Sequence, residues 1–538
     1  MKRLDIRRVC GALLALLLAA ACLPLTRSYA APVSDAIHIA SEADLADLAQ
    51  QCALDTWSRG KTVILDSDLS LEDGSFLPIP SFGGVFDGQG HAIRGIRISG
   101  SLSPAGLFGV VQEGGVVRDL RAEGAVTPEG DARNAGGIAG ENWGTIEDCS
   151  FTGTVSGKAN IGGIAGANMA AGSILHCQAS GAAAGEVMTG GIAGYNEGLL
   201  ASCENNAFVN VASTDPRIDL DDLTQALTMD LSALSRLNAG TSVTDTGGIA
   251  GYSAGTISDC VNHGAVGYQH IGYNTGGIAG RSCGQLRQCA NDGAVCGRKD
   301  VGGIVGQIEP YIRMDDTDYL SEMNRQLYEL RRLTDQAVND AQDGSGDISG
   351  QLSDMNDYLR DNVSDPGDLA AVIHGFGQRL DDLNSAASGS ADAVAEDLRA
   401  VNEQFNRLSN TMLAALSAAS DPSSIISDTS EVNVDSVTLG KTSDCRSSGT
   451  VDGDSNTGGI AGSMAVEYGL DPEDDVSADL SGSYRRQYEY KAIVQRCVNT
   501  GAVTAKRSNV GGIAGRMDLG FITGCESYGS VVSGSGSY

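Results

Sequence analysis

The chain has 538 residues, with 36 lysines and arginines against 68 aspartates and glutamates, a formal net charge of −32. That balance argues against nucleic acid, whose binding rests on Lys and Arg neutralising phosphates, and against anionic membrane surfaces. Glycine supplies 72 residues, near twice the usual share of about 7%, but not at every third position, so a collagen helix is excluded. With 41% hydrophobic residues the chain is not globally disordered either.

Residues 1–30 read as a secretory signal peptide. Lys2, Arg3, Arg7 and Arg8 form a basic start, and Gly11 to Leu25 is an apolar run too short to span a bilayer comfortably. Ser28-Tyr29-Ala30 then places small residues for cleavage before Ala31. A lipoprotein reading would lipidate Cys22 after Ala19-Ala20-Ala21, but the leucine usual three residues before the cysteine is missing. No later stretch has the roughly 18–20 apolar residues of a membrane helix. The mature chain is therefore expected to be secreted or at the cell surface, without a transmembrane helix.

Residues 31–125 are read as an N-terminal cap followed by the first rungs. Residues 37–55, with Ala43, Leu45, Leu48 and Ala49, are expected to form a helix covering a sheet end. Phe86-Asp87-Gly88-Gln89-Gly90-His91-Ala92-Ile93 and Gly95-Ile96-Arg97-Ile98 look like the opening rungs of right-handed parallel β-helices of the pectate-lyase type.

From there a repeat dominates. Gly-Gly-Ile-(Ala/Val)-Gly begins at Gly136, Gly162, Gly190, Gly247, Gly276, Gly302, Gly458 and Gly511, with a degenerate copy at Ala105. The tightest spacings are 26, 28 and 29 residues, and within Gly247 to Val266 short β-prone pieces alternate with Gly, Asn and Asp turns. One such unit cannot bury an apolar face alone, whereas units stacked about 4.8 Å apart can. Glycine would supply positive φ or close backbone approach at the corners. Cys149, Cys177, Cys203, Cys260, Cys289 and Cys525 fall 13 to 15 residues after their Gly-Gly starts, and Cys445 and Cys497 fit once insertions after Gly306 and Gly462 are allowed. Stacked cysteines would hold their Cβ atoms near the strand spacing, beyond the usual 3.5–4.5 Å of a disulfide, so a buried column of free thiols is favoured. No Cys-x-x-Cys pair suggests a metal.

These units resemble the GLUG repeat, a motif of exported bacterial surface proteins that also lies beside immunoglobulin A1 metallopeptidase domains. The resemblance covers about 106–308 and 440–531. It implies a mainly β fold, a right-handed parallel β-helix or solenoid at 126–310 and 426–538, and implies no activity.

Three insertions break the pattern. In 215–239, Leu220, Leu223, Leu227, Leu231 and Leu234 trace an amphipathic helix. In 311–425, Leu320, Met323, Leu327, Leu330, Thr334, Ala337 and Ala341 step by threes and fours, and Leu380, Leu383, Ala387, Val394, Leu398, Val401, Phe405, Leu408 and Met412 do so after a turn at Ser364 to Gly367. This predicts an antiparallel coiled-coil hairpin, with arms of about 45 residues and roughly 65–70 Å, the first bent or broken at Gly344-Ser345-Gly346. Both ends return to one solenoid turn. The third insertion, 464–490, carries Glu467, Asp471, Glu473, Asp474, Asp475 and Asp479 with four tyrosines, and reads as a solvated acidic loop because its spacing matches no calcium loop.

The search for chemistry is brief. Six histidines include no His-Glu-x-x-His, and there is no Gly-x-Ser-x-Gly elbow or Walker loop. No catalytic, cofactor-binding or metal-binding residues are assigned, and no cofactor is expected. Acidic pairs such as Asp66/Asp68 and Glu147/Asp148 are normal on a solenoid surface. Trp57 and Trp143 are the only tryptophans, which leaves few sugar platforms. The expectation is a non-catalytic exported scaffold for adhesion or partner binding, with a host or cell-wall glycan or protein as ligand and a coiled-coil partner for 311–425. The alternative is a polysaccharide lyase or glycoside hydrolase, marked by acids and bases converging in an aromatic-lined groove. The repeats run to Val532 with no capping helix after them, an arrangement expected of a fragment or of an end that pairs with a partner.

Overall fold

The computed structural model describes residues 36–71, 77–211, 243–317, 319–341, 346–362, 369–386, 392–420, 426–465 and 485–534. The segment read as a signal peptide (1–30), the helix expected at 215–239 and the acidic stretch 466–484 lie outside the described residues.

Each repeat lays down one turn of short strands, as in Thr244–Gly247, Ala250–Ser253, Thr256–Ser258 and Val261–Asn262. They are called here the first to fourth faces. Successive turns stack into parallel sheets of 8, 10, 12 and 12 strands, one sheet per face. The register follows the motif. Gly136, Gly162, Gly190, Gly247, Gly276, Gly302, Gly458 and Gly511 pair in series, straight across the inserted segments. The mainly β, parallel, stacked architecture expected of the repeat is thus present.

The motif residues explain the stack. The isoleucine is fully buried in seven of the eight units (Ile138, Ile164, Ile192, Ile249, Ile278, Ile304, Ile460) and partly buried in the last, at Ile513; full burial is worth about 1.5–3 kcal/mol apiece. The glycines around it are required by close approach. A Cβ on Gly136 would lie 2.2 Å from the Ala139 carbonyl oxygen, and one on Gly137 would lie 2.2 Å from the Phe151 ring. Neither has positive φ. Left-handed backbone at non-glycine residues runs in two mostly polar columns: Asn134, Asn160, Met188, Asp245, Asn274, Asp300, Asn456 and Asn509 in one, Asp119, Asp148, His176, Ser202, Asp259, Gln288, Asp444 and Arg496 in another. Asn and Asp tolerate that region best among non-glycine residues.

The cysteine column sits beside the second of these. Its thiols are free, buried down to Cys497 and half-buried at Cys525. Each lies near the carbonyl two residues back, for example Cys149 Sγ to Glu147 O at 3.2 Å and Cys260 Sγ to Ser258 O at 3.3 Å. The thiol therefore helps satisfy the left-handed corner as well as filling the core.

Two corners are closed by buried amides. Asn142 donates to Asn168 (2.8 Å), Asn168 to Asn196 (2.8 Å) and Asn196 to Ser253 (3.0 Å). Asn205, Asn262 and Asn291 form a second ladder with 2.7 Å links. Within a turn the same amide spans its own tight corner, as Asn142 does with both backbone groups of Gly144.

At the N-terminal side the expected helix is shorter. Ile37–Ile39 is a strand paired with Val63–Leu65, and helix α1 covers Glu42–Gln51. Ser41 caps it by accepting from the Asp44 N–H. Leu45, Leu48 and Ala49 are buried, and Ala43 faces outward.

The insertion at 311–425 differs from a two-armed hairpin. It holds four helices, α2 (Tyr319–Ala341), α3 (Gly346–Asn362), α4 (Leu369–Ala386) and α5 (Asp392–Ser420), where two long arms were expected. α2 packs on α3 and α5, and α4 on α3 and α5. Leu327, Leu330, Ala337, Leu352, Met355, Phe376, Leu380, Leu383, Leu398, Val401 and Leu408 form a core separate from that of the solenoid. At its base lies a three-stranded sheet made of Tyr311–Thr317, Arg485–Lys491 and Ile426–Asp428, in that order.

Candidate functional site

The richest surface chemistry lies on the second face, five residues after each Gly-Gly start. There Glu141, Ala167, Tyr195, Tyr252, Arg281 and Gln307 stand in register on successive turns. Strand alternation turns this position outward while Ala139, Ala193 and Ala250 point into the core. The Tyr195 and Tyr252 rings stack with centroids 5.7 Å apart and planes 11° apart. The Arg281 guanidinium covers the other side of Tyr252 at 4.8 Å from the ring centre.

Arg281 is itself held between two carboxylates. Nη2 donates to Asp245 Oδ2 at 3.0 Å, and Nη1 lies 3.7 Å from Glu309 Oε2. Burial works against its charge, and Asp245 and Glu309 outweigh that to raise its pKa. The Tyr252 hydroxyl lies 3.2 Å from Cys283 Sγ, and burial drives both groups toward their neutral forms. Tyr195 donates to Glu197 at 2.5 Å, and burial followed by that carboxylate raises its pKa. Trp143, 38% exposed, reaches Glu141 at 3.4 Å.

This arrangement bears on carbohydrate chemistry. A sugar platform needs an open ring face, but Tyr252 has Tyr195 on one side and Arg281 on the other. A general acid or base needs a carboxyl group available to substrate, but Asp245 is buried at 3% exposure against Arg281. The face therefore has the residue types of a sugar site with their reactive parts engaged on one another.

A second cluster lies on the fourth face. His263 sits 3.3 Å from Asp292 and 3.6 Å from Glu204, and Ser448 donates to Asp292 at 2.6 Å. Aspartate stands between the serine and the histidine, so the order of a Ser-His-Asp relay, in which the histidine accepts from the serine, is not reproduced. Among the described residues no group of three or more His, Cys, Asp or Glu is placed to hold a metal.

The acidic pairs noted in the sequence are split among separate partners. Asp66 bonds His38 at 2.8 Å. Asp68 accepts from Arg94 at 2.9 Å and from the Ala92 N–H at 3.1 Å, and lies 3.1 Å from His91 Nδ1. These contacts, Arg94 first, hold its pKa at about 2. Asp148 lies 3.6 Å from His176, and Glu147 lies in register with Arg118 and Leu175 on the third face. The tyrosine–arginine column was not singled out from sequence, although aligning the repeats on Gly190, Gly247 and Gly276 would have placed its three members in one slot.

Comparison with known proteins adds three findings. Residues 131–156 match the family described as the GLUG motif, and this stretch is one turn, from Arg133–Gly136 to Ser150–Ser156. The chain is 32% identical over 142 residues to halomucin of Haloquadratum walsbyi, an alignment covering 24% of this chain and 2% of halomucin. It is also similar to the crystal structure of a putative immunoglobulin A1 protease from Bacteroides ovatus, at 20% identity and a TM-score of 0.32, covering 50% of this chain and 71% of that one. That likeness carries no argument about activity. Among the described residues no helix is long and apolar enough to cross a membrane. Residues 131–156 thus form a turn that matches the GLUG motif, and turns of the same path are repeated in register through the stack.

Proposed function

We propose that the chain is an exported, non-catalytic scaffold, secreted or held at the cell surface, that binds a partner through its helical insertion. The observation that carries this reading is the insertion itself, four helices with a core of their own built on one corner of a repetitive stack. The composition of 1–30 supports export, and the similarity to halomucin is compatible with it. In this reading 31–125 caps and opens the stack, 126–310 and 426–538 form it, and 311–425 meets a helical partner, a protein or a glycan. The winding is taken as right-handed, the sense usual for parallel crossovers.

The test compares the full chain with a variant in which 319–420 is replaced by a short Gly-Ser linker. Both are assayed for binding to cell-wall and host-type glycans and proteins, alongside a polysaccharide turnover screen. Binding lost only in the variant supports the scaffold. A second reading, a polysaccharide lyase or glycoside hydrolase, draws on the Trp143–Tyr195–Tyr252–Arg281 face. Turnover of any polysaccharide that Arg281→Ala abolishes would establish it and end the first.

A further inference from the structure

The insertions at 311–425 and 464–490 begin and end at the same corner of successive turns. The first leaves after Val305–Ile308 and returns at Lys441–Ser443, whereas the second leaves after Ala461–Met464 and returns at Ile493–Gln495. Those strands are register partners, Val305 with Ala461 and Lys441 with Ile493. The two roots are therefore one strand spacing apart, about 4.8 Å.

At this corner the stack changes its means of closure. The slot holds Phe82 and Val111 in the first turns, Asn142, Asn168, Asn196, Ser253 and Ser282 in the middle ones, and Ile308, Met464 and Met517 from the inserted turns onward.

The three-stranded sheet takes over the holding. Tyr311–Thr317 pairs antiparallel with Arg485–Lys491 along its whole length, and Ile426–Asp428 pairs parallel with Tyr488–Tyr490. The two ends of the helical insertion are thus joined by a strand from the next turn lying between them. Further bonds tie the returning end. Thr429 N–H donates to Tyr490 O at 3.0 Å, Ala492 N–H to Ser430 Oγ at 3.0 Å, and Gly520 N–H to Asp428 Oδ2 at 2.7 Å. Tyr490 is buried.

We propose that Arg485–Lys491 is a strap that fixes the helical insertion on the solenoid, and that supplying this strap is the role of the third insertion. The helices are then held by two successive turns rather than one. Release of the strap frees both roots while the stack persists. This inference stands whether or not the helices bind a partner.

The experiment is hydrogen exchange read by mass spectrometry on the full chain and on Glu489→Pro. Glu489 pairs with Arg313 on one side and Ser427 on the other, where proline removes a donor from a central strand. Expected is an increase of about tenfold or more in exchange across 311–317 and 426–428, with the turn 244–262 unchanged. Unchanged exchange in the two root strands would overturn the proposal. Should the substitution unfold the stack, seen as lost protection at 244–262, the unmodified chain decides. There 311–317, 426–428 and 485–491 must open as one unit under native conditions, and separate opening of the strap with both roots still protected refutes it.

Discussion

Replacing Asn262 tests the amide ladder that closes the corner after the fourth face. Its side chain is fully buried. It donates to Asn291 Oδ1 at 2.7 Å and to Gly264 O at 2.9 Å, and it accepts from Asn205 Nδ2 at 2.7 Å. Asn262→Ala removes three hydrogen bonds, each worth about 1 kcal/mol net, and takes from Asn291 Oδ1 its amide donor, costing about 1–3 kcal/mol more. The expected loss is about 4–6 kcal/mol. In a solenoid each turn interacts mainly with its neighbours, so the loss should appear locally. Hydrogen exchange of the turns containing Asn205, Asn262 and Asn291 is expected to accelerate by at least about a hundredfold, while the turn at 131–156 is spared. Asn262→Ser should cost roughly half as much, because Ser447 and Ser527 already occupy this slot in later turns. Exchange in the three turns unchanged within about threefold in the alanine variant would refute the claim that the amides, rather than the isoleucine core alone, hold the turns together.

Arg281→Ala should cost about 2–4 kcal/mol in a denaturation measurement by leaving buried Asp245 without its cationic partner and with the Asn274 amide alone, and adding Asp245→Asn should recover part of it; a cost below about 0.5 kcal/mol would show the pair to be idle. Cys260, fully buried, should stay unlabelled by a thiol reagent in the native chain at about pH 8, whereas Cys525, only partly buried although Cys497 and burial push its thiol up as well, is labelled sooner; equal rates, read by peptide mass mapping, contradict the buried column. The Asp68 carboxyl has a folded pKa of about 2, below the unfolded value of about 3.9, so its contribution is present above about pH 4 and disappears as pH falls through 2. Protection of the Ala92 amide, which donates to Asp68, should fall over that window, and Asp68→Asn should flatten the fall.

What the sequence disclosed tracks how often a feature recurs. The Gly-Gly-Ile register and the cysteine slot appear in turn after turn, and both are as expected in the stack. The role of glycine was narrower than expected. In the Gly-Gly-Ile motif glycine serves close approach between turns, while positive φ falls to glycines elsewhere, such as Gly181 and Gly267, and to Asn134, Asp148 and their column mates, whose short polar side chains tolerate that region. Features present once were harder to read. Gly344-Ser345-Gly346 marked the gap between α2 and α3, but the heptad spacing was carried across Ser388-Gly389-Ser390 because small residues satisfy an apolar template. The strand Arg485–Lys491 lay at the end of a segment dominated by acids, although Tyr488 and Tyr490 alternate as a strand should. The candidate face was missed because Tyr195, Tyr252 and Arg281 share a slot but no residue type.

The two insertions at one corner show that offset within a repeat carries spatial information. Gly306 and Gly462 each stand four residues after their Gly-Gly start, and the breaks in pattern follow both. Equal offsets in consecutive turns put the two roots side by side before anything is known of the inserted residues. The insertion at 215–239 falls on a different connection, the one that leads into the first face at Thr244–Gly247. It shares no corner with the other two. Stacking converts a one-dimensional offset into adjacency, because every turn repeats the same path about 4.8 Å further along. Two chain segments that start one spacing apart, each with free backbone donors and acceptors, satisfy those groups most directly by pairing with each other. The sheet at the base of the helices follows from that, and so does its order, with the strand of the later turn between the two ends of the earlier one.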